Sequence, residues 1–163
     1  MPTVQFETTV EAPLDKVWQF HQDVLRSLPA LSPPEDEVRI EHADVPPAPG
    51  GRVSITARGP LGRRIRWVAR FVEVTPPHAV VFGEEARFVD EQESGPFARW
   101  RHAHEFERVD ERTTRVVDTV DYRVPFGPAG WVADRLFVAR KLRGMFRHRH
   151  AVLKRLLESE TFP

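Results

Sequence analysis

Two histidines and two acidic residues occupy positions where a β-strand would turn their side chains into the protein interior. His102 and His104 alternate with Trp100 along one segment, and Glu84 and Asp118 alternate with apolar residues on two others. Because successive side chains of a strand point to opposite faces, all four share the face of their apolar neighbours. An imidazole beside a carboxylate can exchange a proton near neutral pH, so this set could act as a general acid and base.

Turn chemistry predicts which of these residues face each other. A three-residue hairpin loop at 110–112 would place His104 opposite Asp118 on the neighbouring strand. Pairing in the preceding hairpin would set Glu84 opposite His102. His104 and Asp118 are therefore the candidate catalytic residues, with Asp118 orienting His104 and raising its basicity.

Three interpretations of these pairs are open. The pairs could be structural, each satisfying the other's hydrogen bonds beneath a covering element. They could orient an otherwise apolar ligand through one or two hydrogen bonds, or they could transfer protons during catalysis. His102, His104 and one carboxylate also match the ligands of first-row metals. Simple alternation also produces two inward histidines, however, so we expect no metal and no cofactor.

The elements that position these residues are predicted from alternation and from turn residues. Valine-rich alternating segments predict seven strands, at 3–10, 37–43, 51–58, 63–75, 78–89, 97–109 and 113–124. Turn residues such as Pro76-Pro77 separate them, and the short links imply an antiparallel meander. Two short helices, beginning near Pro13 and Asp23, follow the first strand.

One long C-terminal helix is predicted after Gly127-Pro128. Its apolar residues recur every three to four positions, at Val132, Leu136, Ala139, Leu142, Phe146, Leu153 and Leu157. His148 and His150 lie two apart on this helix and face different directions, so we expect both to be solvated.

Together these elements predict a single α+β domain spanning residues 1–163. The apolar face of a seven-stranded antiparallel sheet must be covered, and the long helix is large enough to cover it. A sheet curved around this helix leaves an internal cavity, in which we expect a hydrophobic small molecule to bind. The residues expected to bind this ligand are Trp67, Phe71, Phe82, Glu84, Trp100, His102, His104, Asp118, Tyr122, Leu136, Ala139 and Leu142.

Four segments resemble a known superfamily: VEAPLDKVWQFHQD, TPPHAVVF, PFGPAG and RHRHAVLKRLLE. With the order of elements, they make the chain similar to the START-related, birch-pollen-allergen-like superfamily, also called SRPBCC or the polyketide cyclase/dehydrase and lipid-transport family. The resemblance implies a helix-grip fold, with the sheet curved around the long helix over a hydrophobic cavity. It also implies either a carrier of a lipid-like, aromatic or polyketide-like ligand, or a cyclase or dehydratase.

Composition excludes several other classes of function. The 24 Lys and Arg balance 24 Asp and Glu, so the chain lacks the excess positive charge of a general nucleic-acid binder. The absence of cysteine excludes thiolate chemistry, and no phosphate loop or nucleophile elbow is present.

Residues 128–163 carry eight Lys and Arg against three Asp and Glu. This basic face is either solvated or in transient contact with an anionic membrane surface. Without a basic leader or a long apolar run, we expect a cytoplasmic protein.

Overall fold

A computed structural model describes residues 2–59, 62–80 and 83–159. The strands are β1 (Thr3–Val10), β2 (Arg39–Ala43), β3 (Arg52–Arg58), β4 (Arg64–Val80), β5 (Gly83–Ser94), β6 (Arg99–Asp110) and β7 (Thr113–Arg123). The α-helices are α1 (Leu14–Gln22), α2 (Val24–Leu31), α3 (Gly127–Ala133) and α4 (Ala139–Glu158). A 3-10 turn (Pro34–Asp36) follows α2, and a π-helical turn (Asp134–Val138) separates α3 from α4.

The seven strands form one antiparallel sheet in the order β1-β7-β6-β5-β4-β3-β2. α4 packs against β1 and α2, and Phe146 of α4 stacks on Phe6 of β1 with ring centroids 4.5 Å apart. The predicted seven-stranded antiparallel sheet and helix-grip fold are confirmed. Among the described residues, no helix is long and apolar enough to cross a membrane.

The hairpin between β4 and β5 lies later in the chain than the sequence predicts. β4 continues through Pro76 and Pro77, where its pairing with β5 shifts between Thr75 and His78. Proline has no N–H to donate, and a bulge is one of the places where an antiparallel strand tolerates it. The predicted turn at Pro76-Pro77 is therefore wrong, and β5 begins at Gly83.

The hairpin between β5 and β6 also lies later in the chain than predicted, because β5 continues to Ser94. Phe88 lies opposite His104, further along β6 than predicted. Glu84 consequently does not face His102. Its carboxylate pairs with Arg108, and both of these side chains are partly exposed. The predicted pairing of Glu84 with His102 is wrong because β5 and β6 are displaced along their length relative to the predicted register. Phe88 nevertheless points into the interior.

The C-terminal helix is interrupted near its start rather than continuous. The π-helical turn between α3 and α4 changes the phase of the helix, since each π turn holds more residues than an α turn. Leu142 and Phe146 of α4 are buried, as their spacing predicts, whereas Val132 of α3 is exposed. The single apolar stripe predicted for the whole helix therefore does not extend into α3.

Two apolar clusters fill the interior between the sheet and the helices. The large cluster includes Phe20, Phe71, Phe88, Phe106, Val116 and Leu153. The Trp100 cluster consists of Trp100, Val120, Tyr122, Leu142 and Phe146, with partly buried residues around it. Along β6 the Trp100 cluster holds one end of the inner face and the large cluster holds the other. His102 and His104 lie between the two clusters.

Candidate functional site

β6 and β7 bring His104 and Asp118 together. These two residues lie opposite each other, as do Trp100 and Tyr122, so the predicted register of this hairpin is confirmed. The turn is shorter than predicted, but a bulge between residues 108 and 110 restores the register. The pair therefore faces the interior because alternation and turn geometry act together.

The carboxylate of Asp118 is the centre of the site, and this residue is 1% exposed. Its Oδ1 accepts a hydrogen bond from Nε2 of His102 at 2.8 Å, and its Oδ2 accepts one from Nε2 of His150 at 2.7 Å. Burial alone would raise the pKa of Asp118, but the imidazoles of His102, His104 and His150 outweigh burial and hold this pKa well below its usual value. Asp118 is therefore an anion that accepts N–H groups.

Asp90 of β5 supplies a second carboxylate on the opposite side of the two β6 histidines. Its Oδ2 lies 3.3 Å from Nε2 of His104 and 3.9 Å from Nδ1 of His102. The side chain of Asp90 is 16% exposed, so it forms the solvent-facing edge of the site. Asp90 is not among the predicted site residues because it lies one position beyond the predicted strand 78–89. Continuing the inward alternation two positions beyond Phe88 would have found it.

The rings of His102 and His104 span the gap between the two carboxylates. Their centroids are 3.7 Å apart, and their planes are inclined by 38°. Nδ1 of His104 lies 3.0 Å from Oδ1 of Asp118, yet it has no hydrogen-bond partner among the described residues. The site thus holds a buried nitrogen beside an anionic oxygen without a hydrogen bond between them.

The surroundings of His102 determine its protonation. Burial and repulsion from His104 lower the pKa of His102 to about 4, although Asp118 and Asp90 act in the opposite direction. At neutral pH this imidazole carries one proton, which the hydrogen bond to Asp118 places on Nε2. Nδ1 of His102 then carries a lone pair that faces Asp90.

α4 contributes a third imidazole, that of His150. The prediction that His150 is solvated is wrong, because the residue is 8% exposed and donates to Asp118. His150 lies four positions after Phe146 and three before Leu153, both of which are buried. It therefore occupies the buried stripe of α4, and carrying the helical phase between these two residues would have found it.

Aromatic rings enclose the polar groups. Phe88 stacks on His104 with centroids 3.9 Å apart and planes 20° apart. Phe146 and Trp100 meet the ring of His102 edge-on, at 5.2 and 6.1 Å. Electrostatic interactions are stronger in such apolar surroundings than in water, so the imidazoles and carboxylates are strongly coupled.

The other residues predicted to bind a ligand differ in their positions. Phe71, Trp100, Tyr122 and Leu142 are buried, and Trp67 packs against the Trp100 cluster. Ala139 is half-buried at the start of α4. Phe82 and the side chain of Leu136 lie outside the described residues.

Two surface grooves border α4. One has a volume of about 450 Å³ and is lined by Phe6 and His150 among others. The second has a volume of about 520 Å³, and its lining includes Phe137 and Met145. Apart from Phe82 and Leu136, whose side chains are not described, none of the residues predicted to bind a ligand lines either groove. Their contact with a ligand stays a prediction.

The fold and the buried imidazoles define a helix-grip protein with an ionisable interior site. Over residues 1–158 the sequence matches the family described as polyketide cyclase / dehydrase and lipid transport. The chain belongs to this family, as the resemblance in its sequence implied. None of the curated proteins matches the chain in sequence.

Several solved structures share this fold. The Zhui aromatase/cyclase from Streptomyces sp. R1128 is 17% identical, with a TM-score of 0.69, over 96% of this chain and 93% of that chain. The protein TTHA0849 from Thermus thermophilus is 21% identical, with a TM-score of 0.65, over 94% and 95%. A norcoclaurine synthase point mutant from Thalictrum flavum is 14% identical, with a TM-score of 0.61, over 93% of each chain. At these identities the likeness shows the fold alone.

Proposed function

We propose that residues 1–163 form one domain that binds a lipid-like, aromatic or polyketide-like small molecule between the sheet and α4. The observation that carries this proposal is the buried Asp118 carboxylate, which holds two imidazole N–H groups within an aromatic wall. Ligand sites commonly combine an apolar lining with a few fixed polar groups that orient the ligand. Membership of a family described by polyketide cyclisation and lipid transport supports the same class of ligand.

The groove at the start of α4 supports a route for this ligand into the interior. Met145 lines the groove and also packs against the cluster that contains Trp100. Phe137, from the same groove, is 69% exposed. Because methionine side chains adapt readily, moving Met145 aside would join the groove to the aromatic interior. A Cβ on the neighbouring Gly144 would meet nothing within 4 Å, so packing does not require a glycine here. Because glycine has a low helix propensity, it makes α4 locally less stable at this position.

Native mass spectrometry of protein purified from its host tests the proposal, and we expect an apolar molecule to co-purify. Titration with the fluorescent probe 1-anilinonaphthalene-8-sulfonate then compares variants. Met145→Trp adds bulk to the route and is expected to weaken probe binding at least about tenfold. Val109→Trp introduces the same side chain at an exposed strand position and serves as the control. Absence of a co-purifying molecule, together with equal probe affinity in both variants, would contradict the proposal.

A second candidate function is catalysis of cyclisation or dehydration, with His104 as general base and Asp118 as its orienting anion. The observation that favours it is Nδ1 of His104, which is buried beside Asp118 but makes no hydrogen bond within the part of the chain that the structure describes. If the site is catalytic, His104→Ala abolishes turnover of a polyketide-like substrate and changes its affinity by less than about twofold. If the site only binds, affinity falls instead.

The exposed face of α4 supports a further proposal, that a cytoplasmic form of the protein touches anionic membranes while exchanging its ligand. Arg140, Arg143 and Arg147 are exposed on α4, close in sequence to the exposed Phe137. Basic side chains beside an exposed aromatic favour binding to anionic lipid. Co-sedimentation with vesicles rich in phosphatidylserine should fall when Phe137 is replaced by Ser, whereas binding to phosphatidylcholine vesicles should be absent throughout.

A further inference from the structure

We propose that Asp90, His102 and His104 form a binding site for a divalent first-row metal ion, best matched to Zn²⁺. Two imidazoles and one carboxylate provide the nitrogen and oxygen donors of a three-ligand zinc site. One donor atom from each residue lies within 4.8 Å of the other two. The proposal concerns a ligand of different chemistry from the apolar molecule above and does not depend on it.

The spacing of the donor atoms suits a small divalent ion. Oδ2 of Asp90 is 3.3 Å from Nε2 of His104 and 3.9 Å from Nδ1 of His102. With bonds of about 2.0–2.1 Å, a tetrahedral zinc ion holds its ligand atoms about 3.3 Å apart. The distance from Asp90 to His104 matches this spacing, and the distance from Asp90 to His102 is about 0.6 Å longer.

On the side of each ring away from Asp90, a carboxylate lies beside the second nitrogen, as is usual for metal-binding histidines. Nε2 of His102 and Nδ1 of His104 lie 2.8 and 3.0 Å from the same oxygen of Asp118. Histidines that bind a metal through one nitrogen usually donate the other N–H to a carboxylate, which fixes the tautomer and orients the ring. The hydrogen bond from His102 to Asp118 uses Nε2 and leaves Nδ1 of His102 on the Asp90 side.

His104 supplies an independent reason for a cation at this position. Its two ring nitrogens lie between two carboxylates, with Nδ1 3.0 Å from Oδ1 of Asp118 and Nε2 3.3 Å from Oδ2 of Asp90. His104 is 3% exposed, and its Nδ1 is unpartnered within the described chain. A divalent ion between Asp90 and His104 would coordinate Nε2, so the ring proton of His104 would lie on Nδ1 and face Asp118.

The position of Asp90 provides access and leaves room for a further ligand. Its side chain is the most exposed of the three, at 16%, so an ion can approach from this edge. Three protein ligands leave a fourth tetrahedral position for water or for an oxygen of a bound molecule. The aromatic rings of Phe88 and Phe146 shield the remaining sides of the imidazoles.

Calorimetric titration of tag-free, EDTA-treated protein with ZnCl₂ tests the site, and we expect one Zn²⁺ per chain. Asp118→Asn should weaken binding by about 10- to 100-fold through loss of the supporting anion. Asp90→Asn removes the negative charge of a direct ligand and should weaken binding by more than Asp118→Asn does. Glu91→Gln changes the adjacent acid, which pairs with Arg101 instead, and should leave the affinity unchanged.

X-ray absorption of the wild-type zinc complex keeps the proposal testable if the Asp90 variant fails to fold. Scattering from two imidazoles is expected, those of His102 and His104. Failure to bind Zn²⁺, equal affinity in Asp90→Asn and Glu91→Gln, or a spectrum without imidazole scattering would overturn the proposal. Binding of the fluorescent probe is measured separately in EDTA, so the apolar ligand site and the metal site are judged independently.

Discussion

The inner and outer faces of β5, β6 and β7 both carry ionisable side chains, but in opposite surroundings. On the inner face, Asp118 and His102 are buried and joined by a hydrogen bond of 2.8 Å. On the outer face, Arg101 and Glu91 lie 3.5 Å apart with about a third of each side chain exposed. The two sets occupy alternate positions of the same strands, and exposure to water is what separates them.

This contrast indicates that the buried ionisable groups contribute more to the free energy of unfolding than the exposed ion pairs do. Water and salt screen the outer pairs, so each contributes about 0–1 kcal/mol. A buried carboxylate has no water to replace a lost partner, and its partners have none either. Substitutions on the two faces should therefore differ strongly in effect.

The largest effect is expected from Asp118→Ala. This change leaves the N–H groups of His102 and His150 buried without an acceptor, at a cost of about 3–5 kcal/mol in the free energy of unfolding. Urea-induced unfolding in EDTA at neutral pH measures the loss. A loss below about 1 kcal/mol would place the inner network in the same energetic class as the outer pairs.

Replacing the network as a whole should be less damaging than breaking it. A triple variant, Asp118→Leu with His102→Leu and His150→Leu, removes the donors together with their acceptor and fills the space with apolar groups. We expect it to be about 1–4 kcal/mol more stable than Asp118→Ala in the same urea assay. A triple variant less stable than the single one would show that the polar network itself stabilises the fold.

His21 of α1, whose ring lies 6.4 Å from that of His104, allows a pH test on the inner side. Burial is the main cause that lowers the pKa of His21 to about 3, and repulsion from Arg149 and from His104 lowers it further. The hydrogen bond to the carbonyl of Val17 and the charge of Asp118 act in the opposite direction.

The unfolded chain protonates this residue near its ordinary pKa of about 6.5, so it binds more protons than the folded chain between about pH 6.5 and 3. Stability should fall as the pH decreases through this window, by up to about 1.4 kcal/mol per pH unit. In His21→Asn, whose amide can still donate to Val17, the slope measured by urea unfolding from pH 7 to 5 should be shallower. Identical slopes would contradict the shifted pKa.

The smallest effect is expected from Glu91→Gln on the outer face. Loss of its pairing with Arg101 should change the free energy of unfolding by less than about 1 kcal/mol. The difference from wild type should shrink further when unfolding is measured in 1 M salt, because the screening length falls to about 3 Å. A salt-independent loss would mean that the pair is not screened and that the contrast between the faces is smaller than proposed.

The sequence by itself determined the number and order of the strands, the faces of their residues and the register of β6 on β7. These features follow from local rules, since side chains alternate along a strand and a short hairpin limits the possible pairings. Trp100, His102 and His104 therefore lie on the predicted face, and His104 lies opposite Asp118. The match of the whole chain to a helix-grip fold depends on the same order of local elements.

Only the tertiary structure decided which further residues complete the site. Proline at positions 76 and 77 suggests a turn locally, but the pairing of β4 with β5 accommodates it as a bulge. β5 continues to Ser94, and its pairing with β6 brings Asp90 rather than Glu84 to the histidines. His150 is 32 residues from Asp118 in the chain and meets it only because α4 packs across the sheet. Local spacing can place Asp90 and His150 on inward faces, but it does not show which inward residues meet, because such contacts depend on how distant elements share the buried interior.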